Sequence, residues 1–209
     1  MFSRKLLFLV LCLIFHVPAQ AQTENNGAQF LAHTRKLSAP VVPVNLYEAD
    51  SLLRRAYRDI FEMLSKPNRC SDFYGGSNTA IFVLNKFVIR ITKSQLPKDV
   101  AFAMTGTDVS NSEGSDISYR LFERTIINTS GSFYQIKAFE TQPSMPPIGK
   151  FPAGTRPAQA LILLHELGHL IQGANHDWLL RDDGAKPNLS RRNTEIVQQA
   201  CRQELDLLN

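Results

Sequence analysis

The sequence predicts an α+β fold, a single domain of residues 46–209 in which helices flank a small antiparallel sheet. Apolar residues recur every three or four positions early in this domain and again in its C-terminal third, as in helices buried on one face. Between these parts lie shorter stretches rich in β-branched and aromatic residues, as in strands. The 188 residues that follow the first 21 of the 209 suffice for one domain with its own core.

The first 21 residues have the pattern of a secretory signal peptide. Arg4 and Lys5 supply positive charge, Leu6–Val17 is an apolar segment of 12 residues, and Ala19–Ala21 is an A-x-A cleavage site. A bilayer-spanning helix needs about 20 apolar residues, so this segment is too short to stay as an anchor. We therefore expect an exported protein, secreted or periplasmic, with no stable membrane anchor after signal cleavage.

The charge balance argues against a nucleic-acid partner. The chain has 23 Lys and Arg against 19 Asp and Glu, and removal of Arg4 and Lys5 lowers the formal net charge from +4 to +2. No run of basic residues interleaved with aromatic residues occurs in the sequence. So weak a basic balance predicts no nucleic-acid binding.

Two helices are predicted after an N-terminal arm. Residues 22–45 are polar and then proline-bearing, which predicts a flexible or extended arm. Residues 47–65 form an amphipathic helix that Pro67 stops. Residues 77–88 form a second helix, and the β-branched run 87–92 leaves a strand open at its end.

Three strands are predicted next. They cover residues 100–105, 117–128 and 132–139, and a turn at 129–131 joins the last two. Residues 141–155 contain four prolines and two glycines, which predicts a loop leading into the next helix.

The segment Leu161–Ile171 combines an unbroken apolar run with the pattern H-E-x-x-H. On a helix of 3.6 residues per turn, His165 and His169 present their imidazoles on one face, close enough to bind one zinc ion. Glu166 lies about 100° around the helix, beside the metal, where a carboxylate can take the proton of a zinc-bound water.

The ends of this helix can be predicted as well. Thr155 can serve as N-cap, Pro157 lies in the first turn, and Gly173 can take the left-handed position after the last turn. This makes a helix of about 17 residues. Gly168, without a side chain, leaves room for another segment to approach next to the metal. A final helix is predicted over residues 190–208.

Burial strengthens the metal hypothesis. Two histidines and a glutamate in a helix whose other positions are nearly all Leu, Ile or Ala would be buried polar groups that need partners, and a metal ion satisfies them together. The alternative is a pair of core histidines that are satisfied without a metal.

This segment resembles the active-site helix of the zincin metallopeptidases, whose motif is H-E-x-x-H. The resemblance implies a zincin-like domain, a peptide or protein substrate, and a zinc-bound water activated by Glu166. It also implies that His165 and His169 bind the zinc and that a third protein ligand lies further along the chain.

A catalytic zinc needs a third protein ligand besides water, and the candidates downstream of His169 are His176, Asp177, Asp182, Asp183 and Glu195. His176 lies seven residues after His169, one more than in the metzincin pattern. Glu195 sits on the predicted next helix, as the third ligand of the gluzincins does. Asp183 precedes a glycine on the loop that returns from the metal helix, where Asp-Gly is also ordinary turn chemistry.

A second resemblance bears on this choice. The tail, from the HELGHL run through Asp183 and Asn193 to Cys201, is similar to a set of small exported proteins of unassigned function that share this helix. In those proteins the acidic residue of the loop is the recurring candidate. The resemblance therefore favours Asp183, with His176 or Glu195 as alternatives.

One disulfide is predicted. Signal cleavage removes Cys12 and leaves Cys70 and Cys201 as the two thiols of an exported protein, and a single pair in an oxidising compartment indicates a bridge. The alternative is two unrelated buried thiols.

These observations predict an exported zinc-dependent hydrolase of the metallopeptidase type. The alternative, from another class, is a non-catalytic exported domain with a structural metal or a partner-binding cleft. Coordination separates the two, because a closed site with four protein ligands is structural and an open position is catalytic.

Overall fold

Six helices and a three-stranded sheet make up the regular structure of the described residues. The computed structural model describes residues 42–46, 50–97, 100–111, 118–135, 145–173, 175–184 and 186–209. In chain order the elements are α1 (Ser51–Leu64), α2 (Arg69–Phe73), α3 (Ser77–Val88), β1 (Ile91–Ser94), β2 (Phe102–Asn111), β3 (Tyr119–Asn128), α4 (Arg156–Gly168), α5 (Pro187–Ala200) and α6 (Arg202–Asp206). The predicted α+β class is confirmed.

The structure describes only part of the region covered by the N-terminal predictions. The predicted signal peptide, residues 1–21, and most of the predicted arm lie outside the described residues. The end of the arm is docked on α1, since the Val44 N–H donates a hydrogen bond to the Tyr57 hydroxyl at 2.7 Å. Among the described residues, no helix is long and apolar enough to cross a membrane.

α1 is the predicted amphipathic helix, confirmed over Ser51–Leu64. Asp50 has extended backbone angles and accepts a hydrogen bond from the Leu53 N–H at 2.8 Å, so one free donor of the helix N-terminus is satisfied. The apolar face of α1 packs against α3 and α4. Its buried apolar residues are Leu53, Ala56, Tyr57, Ile60, Met63 and Leu64.

The sheet is mixed, so the prediction of an antiparallel sheet is wrong for one of its two pairings. The strand order is β1-β3-β2, with β2 antiparallel and β1 parallel to β3. Alternation of apolar residues identifies a strand but carries no information about its direction, which the path of the chain decides. A register shift interrupts the β2–β3 pairing between Thr105 and Asp108, where Gly106 has φ 95°.

The predicted strand at 132–139 is wrong over its described part. Residues 132–134 continue the turn, since the N–H groups of Tyr134 and Gln135 both donate to the Gly131 carbonyl at 3.1 Å. Residues 136–139 lie outside the described residues. Phe133, one of the aromatic residues that suggested a strand, lies in this turn and is fully buried in the core.

The predicted disulfide between Cys70 and Cys201 is confirmed. Cys70 lies in α2, and Cys201 separates α5 from α6, so the predicted final helix begins earlier than expected and is interrupted at Cys201. Both cysteines are fully buried. The bridge joins residues 131 positions apart and fastens the C-terminal helices to the N-terminal half of the domain.

α4 is the most deeply buried helix of the described structure and is fixed by polar contacts along its length. At its N-terminal end the Arg156 guanidinium donates two hydrogen bonds of 2.7 Å to the buried Asp59 carboxylate of α1. Further along, the buried Tyr74 hydroxyl donates to the Leu164 carbonyl at 2.6 Å. These contacts set the position of the helix that carries the H-E-x-x-H pattern.

Candidate metal centre

α4 begins as predicted but ends earlier. Thr155 occupies the N-cap position, although its hydroxyl donates to the Pro152 carbonyl at 2.7 Å rather than capping the helix. The helix has 13 residues and its C-cap is His169, so the prediction that it continues to Gly173 is wrong. After His169 the chain leaves the helix and pairs with the start of β3, where Ile171 forms a bridge with Tyr119. A short apolar run suits a helix and a sheet partner equally well.

Three side chains converge at the C-terminal end of α4. His165 Nε2 lies 3.1 Å from His169 Nε2 and 3.1 Å from Asp183 Oδ2, and His169 Nε2 lies 3.6 Å from Asp183 Oδ2. Ligand atoms about 2.0–2.1 Å from a tetrahedral zinc are about 3.3 Å apart. The triangle therefore has the size of one face of a tetrahedral coordination shell, and the group could hold a metal ion.

The tautomer of His165 supports this arrangement. Thr194 donates its hydroxyl hydrogen to the Ser190 carbonyl at 2.9 Å, so toward His165 Nδ1, 3.0 Å away, it can only accept. Neutral His165 therefore carries its proton on Nδ1 and points the lone pair of Nε2 into the triangle. A single proton in the triangle could satisfy one of its three contacts, whereas a cation at its centre satisfies all three.

Asp183 is held in place by α5. The Asn193 side-chain amide donates to Asp183 Oδ2 at 3.2 Å and to the Arg181 carbonyl at 2.9 Å, and Asn193 itself is buried. Partial burial of Asp183 opposes its ionisation, but hydrogen bonds and the charges of His165 and His169 hold its pKa well below the ordinary value. Asp183 is thus deprotonated, as a metal-binding carboxylate must be.

The pKa of His169 shifts upward, opposite to that of Asp183. Burial disfavours its charged form, but the hydrogen bond to Asp183 and the nearby carboxylates outweigh burial and raise the pKa of His169 above its ordinary value. A metal-binding imidazole must be neutral. Metal and proton therefore compete for His169, and the raised pKa extends the protonated form of a metal-free site to higher pH.

Glu166 lies on α4 between the two histidines and is partly buried. Burial raises the pKa of Glu166 above the ordinary value, and the charges of His165 and His169 oppose this only in part. A carboxylate with a raised pKa takes up a proton more readily than an ordinary one, which suits it to accept and then release a proton.

The comparisons with known proteins place no name on this site. No family model, curated protein or solved structure matches the chain significantly.

Of the candidates for the third ligand, the structure brings Asp183 into one group with the histidines, and Asp177 and Asp182 lie outside that group. His176 is exposed at a turn with φ 61°, where its N–H donates to the Gly173 carbonyl. Glu195 is exposed on α5, outside the group formed by His165, His169 and Asp183.

Residues that the sequence did not mark as supports of the site hold this group in place. Thr194 and Asn193 act from α5, and their spacing with the buried Val197 was a usable signal, because the three share one face of a helix. Arg120 and Asp182 act from β3 and from the loop before Asp183. Nothing in the local sequence marks Arg120, since a lone arginine in an alternating strand suggests only a solvated face.

Proposed function

We propose that this protein is an exported zinc-dependent hydrolase of the metallopeptidase type, with its metal held by His165, His169 and Asp183. The observation that carries the proposal is the triangle of two imidazole nitrogens and one carboxylate oxygen, with sides of 3.1, 3.1 and 3.6 Å. Two of these atoms come from one helix and the third from a loop 14 residues further on, so local sequence alone does not impose the spacing.

The donor set favours zinc. Neutral imidazole and carboxylate are zinc ligands, and a three-residue set of two histidines and one acid is typical of catalytic sites with a fourth position left for water or substrate. Bound zinc would supply activation of a water molecule and polarisation of the carbonyl under attack.

Glu166 would carry the proton in this reaction. It lies next to one ligand in sequence but outside the ligand triangle, so its carboxylate is available as a base. Its raised pKa supports a role in which it accepts a proton from the attacking water and then passes it to the leaving amine.

The disulfide supports export. A buried bridge between Cys70 and Cys201 persists in an oxidising compartment, as expected for a protein carried out of the cytoplasm by the signal peptide that residues 1–21 predict.

The first experiment measures metal content. Purified protein reconstituted with zinc and passed through a desalting column should carry about one zinc per chain. The double variant His165→Ala, His169→Ala should carry none, whereas His176→Ala, which changes an exposed histidine outside the triangle, should keep it. Absence of zinc from the reconstituted wild type would refute the proposal.

The second experiment separates catalysis from binding. Glu166→Gln should keep zinc but lose hydrolysis of a broad peptide library, because an amide cannot act as a base. Glu195→Gln, a matched change of an exposed glutamate, should keep both. An active Glu166→Gln variant would rule out this mechanism, and a zinc-loaded wild type without hydrolysis would favour a structural or partner-binding site.

A further inference from the structure

Arg120 joins three parts of the molecule next to the metal centre. It belongs to β3 and its side chain is almost fully buried. Its Nε–H donates to the His169 carbonyl at 2.8 Å, and its two terminal nitrogens donate to the two oxygens of the Asp182 carboxylate, one of them at 3.2 Å. One guanidinium thus connects the residue that ends the metal helix with the residue that precedes Asp183.

Two aromatic rings fix the guanidinium. Its central carbon lies 4.2 Å from the ring centroid of Trp178 and 5.1 Å from that of Phe122. A cation over aromatic faces is attracted by their quadrupoles, and the planar guanidinium suits this stacking together with a bidentate carboxylate. Lysine could reproduce neither contact fully, so the position requires arginine.

The contacts of Arg120 and Asp182 bear on His169, one of the candidate metal ligands. Its Nδ1 is buried and has no hydrogen-bond partner among the described residues. Because Nε2 points into the ligand triangle, Nδ1 carries the hydrogen when the imidazole is neutral. The Asp182 carboxylate faces this nitrogen, with Oδ1 at 4.0 Å, about 1 Å beyond a hydrogen bond.

We propose that Arg120 and Asp182 are positioning residues of the metal centre. Arg120 holds the Asp182 carboxylate toward His169 Nδ1, so that Asp182 orients one ligand while the adjacent Asp183 is another. The inference rests on the metal site proposed above. Ligating histidines commonly donate their second N–H to a carboxylate, and loss of that partner typically weakens metal binding 10- to 100-fold.

The opposing interpretation is that Arg120 and Asp182 form a structural ion pair without influence on the metal. The chain provides a matched control for it in Arg156 and Asp59, a bidentate pair at the other end of α4. Both pairs fasten the same helix, but only the first lies beside the metal ligands.

The test compares Asp182→Asn with Asp59→Asn in the full exported chain. The Asp182 side chain is 66% exposed, so its substitution leaves the core intact. Asp182→Asn should lower zinc affinity about 10- to 100-fold, measured by competition with a chelating dye, with little change in the melting temperature of the metal-free protein. Asp59→Asn should lower that melting temperature and leave zinc affinity unchanged.

Trp178 gives a second readout, because it is the single tryptophan of the sequence and lies against Arg120. Zinc titration of the wild type should change Trp178 emission as Asp182 moves to His169, and this change should be absent in Asp182→Asn. Arg120→Lys should give an intermediate affinity, since the charge remains without the bidentate geometry.

Wild-type zinc affinity in Asp182→Asn would overturn the inference, as would equal losses of affinity in Asp182→Asn and Asp59→Asn. Either result leaves the metal site standing. A wild type that binds no zinc would instead refute the proposed function itself.

Discussion

The hydroxyl of Thr194 determines which nitrogen of His165 is free to bind a metal. It accepts from Nδ1 because its own hydrogen is committed to the Ser190 carbonyl. Asp183 is likewise oriented by a residue outside the ligand group, since the Asn193 amide donates a hydrogen bond to its Oδ2. Residues that never touch the metal therefore set the chemistry of those that would.

Thr194→Val should weaken zinc binding. Valine keeps the shape of threonine but removes the acceptor, so the His165 N–H loses its partner and the tautomer is no longer fixed. We expect zinc affinity to fall about 10- to 100-fold in a dye-competition titration. Thr194→Ser, which keeps the hydroxyl, is the control and should bind as the wild type does. Equal affinity in the valine variant would contradict this role.

The histidine–carboxylate pair predicts opposite pH responses with and without metal. The pKa of His169 is raised from 6.5 and that of Asp183 is lowered from 3.8, so in metal-free protein the stability gained from His169 is present below pH 6.5 and is lost as pH rises through the folded pKa. Stability gained from Asp183 is present above pH 3.8 and persists over this range. Zinc binding strengthens as pH rises, because the proton and the metal compete.

The measurement is the melting temperature at pH 5.5 and pH 8. With a chelator present, the contribution of the pair should fall toward pH 8, and Asp183→Asn should remove this fall. With saturating zinc, the increase in melting temperature over the chelated protein should be larger at pH 8. An increase that shrinks with pH would argue against histidine ligands.

At the level of the elements, the end of α4 and the segment that follows it form a single packed unit. The chain folds back so that the Leu180 N–H donates to the Gly168 carbonyl at 3.1 Å and the Leu179 N–H donates to the Ile171 carbonyl at 3.0 Å. The Leu180 side chain fills the space that Gly168 leaves open, as the sequence predicted for a glycine beside the metal. Asp183 follows three residues later, so this packing sets its distance from the histidines.

Gly168→Ala should disturb this unit. A Cβ at position 168 would lie 2.7 Å from both Cγ and Cδ1 of the buried Leu180, so one of the two residues would have to shift. Overpacking costs about 1–3 kcal/mol, of which better helix propensity returns about 1 kcal/mol. We expect lower stability in urea unfolding together with weaker zinc binding.

Gly173→Ala is the matched control for this prediction. Its Cβ would lie 3.3 Å from the end of the Leu179 side chain, which is only partly buried and can yield. Its effect on both quantities should be smaller. A Gly168→Ala variant as stable and as tight in zinc binding as Gly173→Ala would contradict the close-packing argument.

At the level of the whole molecule, the disulfide connects the fold to the site. Cys201 ends α5, the helix that carries Asn193 and Thr194, and Cys70 anchors it to α2. Movement of α5 would carry both residues away from Asp183 and His165. A bond 131 residues apart in sequence thus supports the site at its C-terminal side.

Replacement of both cysteines, Cys70→Ser with Cys201→Ser, should lower stability and zinc affinity together. The chain-entropy model gives about 4–5 kcal/mol for a loop of this length, with less expected in practice. Thermal unfolding and dye competition measure the two effects, and intact mass confirms the bridge in the exported wild type. Reduction of the wild type should reproduce the double variant, and reduction of the variant should change nothing. Unchanged zinc affinity in the variant would show that α5 is held by packing alone.

The sequence by itself determined the features that depend on neighbours along the chain. These features are the periodicity of α1 and α3, the β-branched and aromatic residues of β3, the pairing of the two remaining cysteines, and the two histidines on one helix face. Asp183 was favoured by resemblance rather than by any such pattern.

Only the tertiary structure decided the features that depend on distant contacts. Three of them are the parallel direction of β1, the early end of α4 where the chain pairs with β3, and the turn at Phe133. Each depends on contacts with segments that are distant in the sequence. The convergence of Asp183, Thr194 and Arg120 on the histidines has the same origin. Periodicity reports which face of an element is buried but not what packs against it, and a metal site is defined by what meets across that contact.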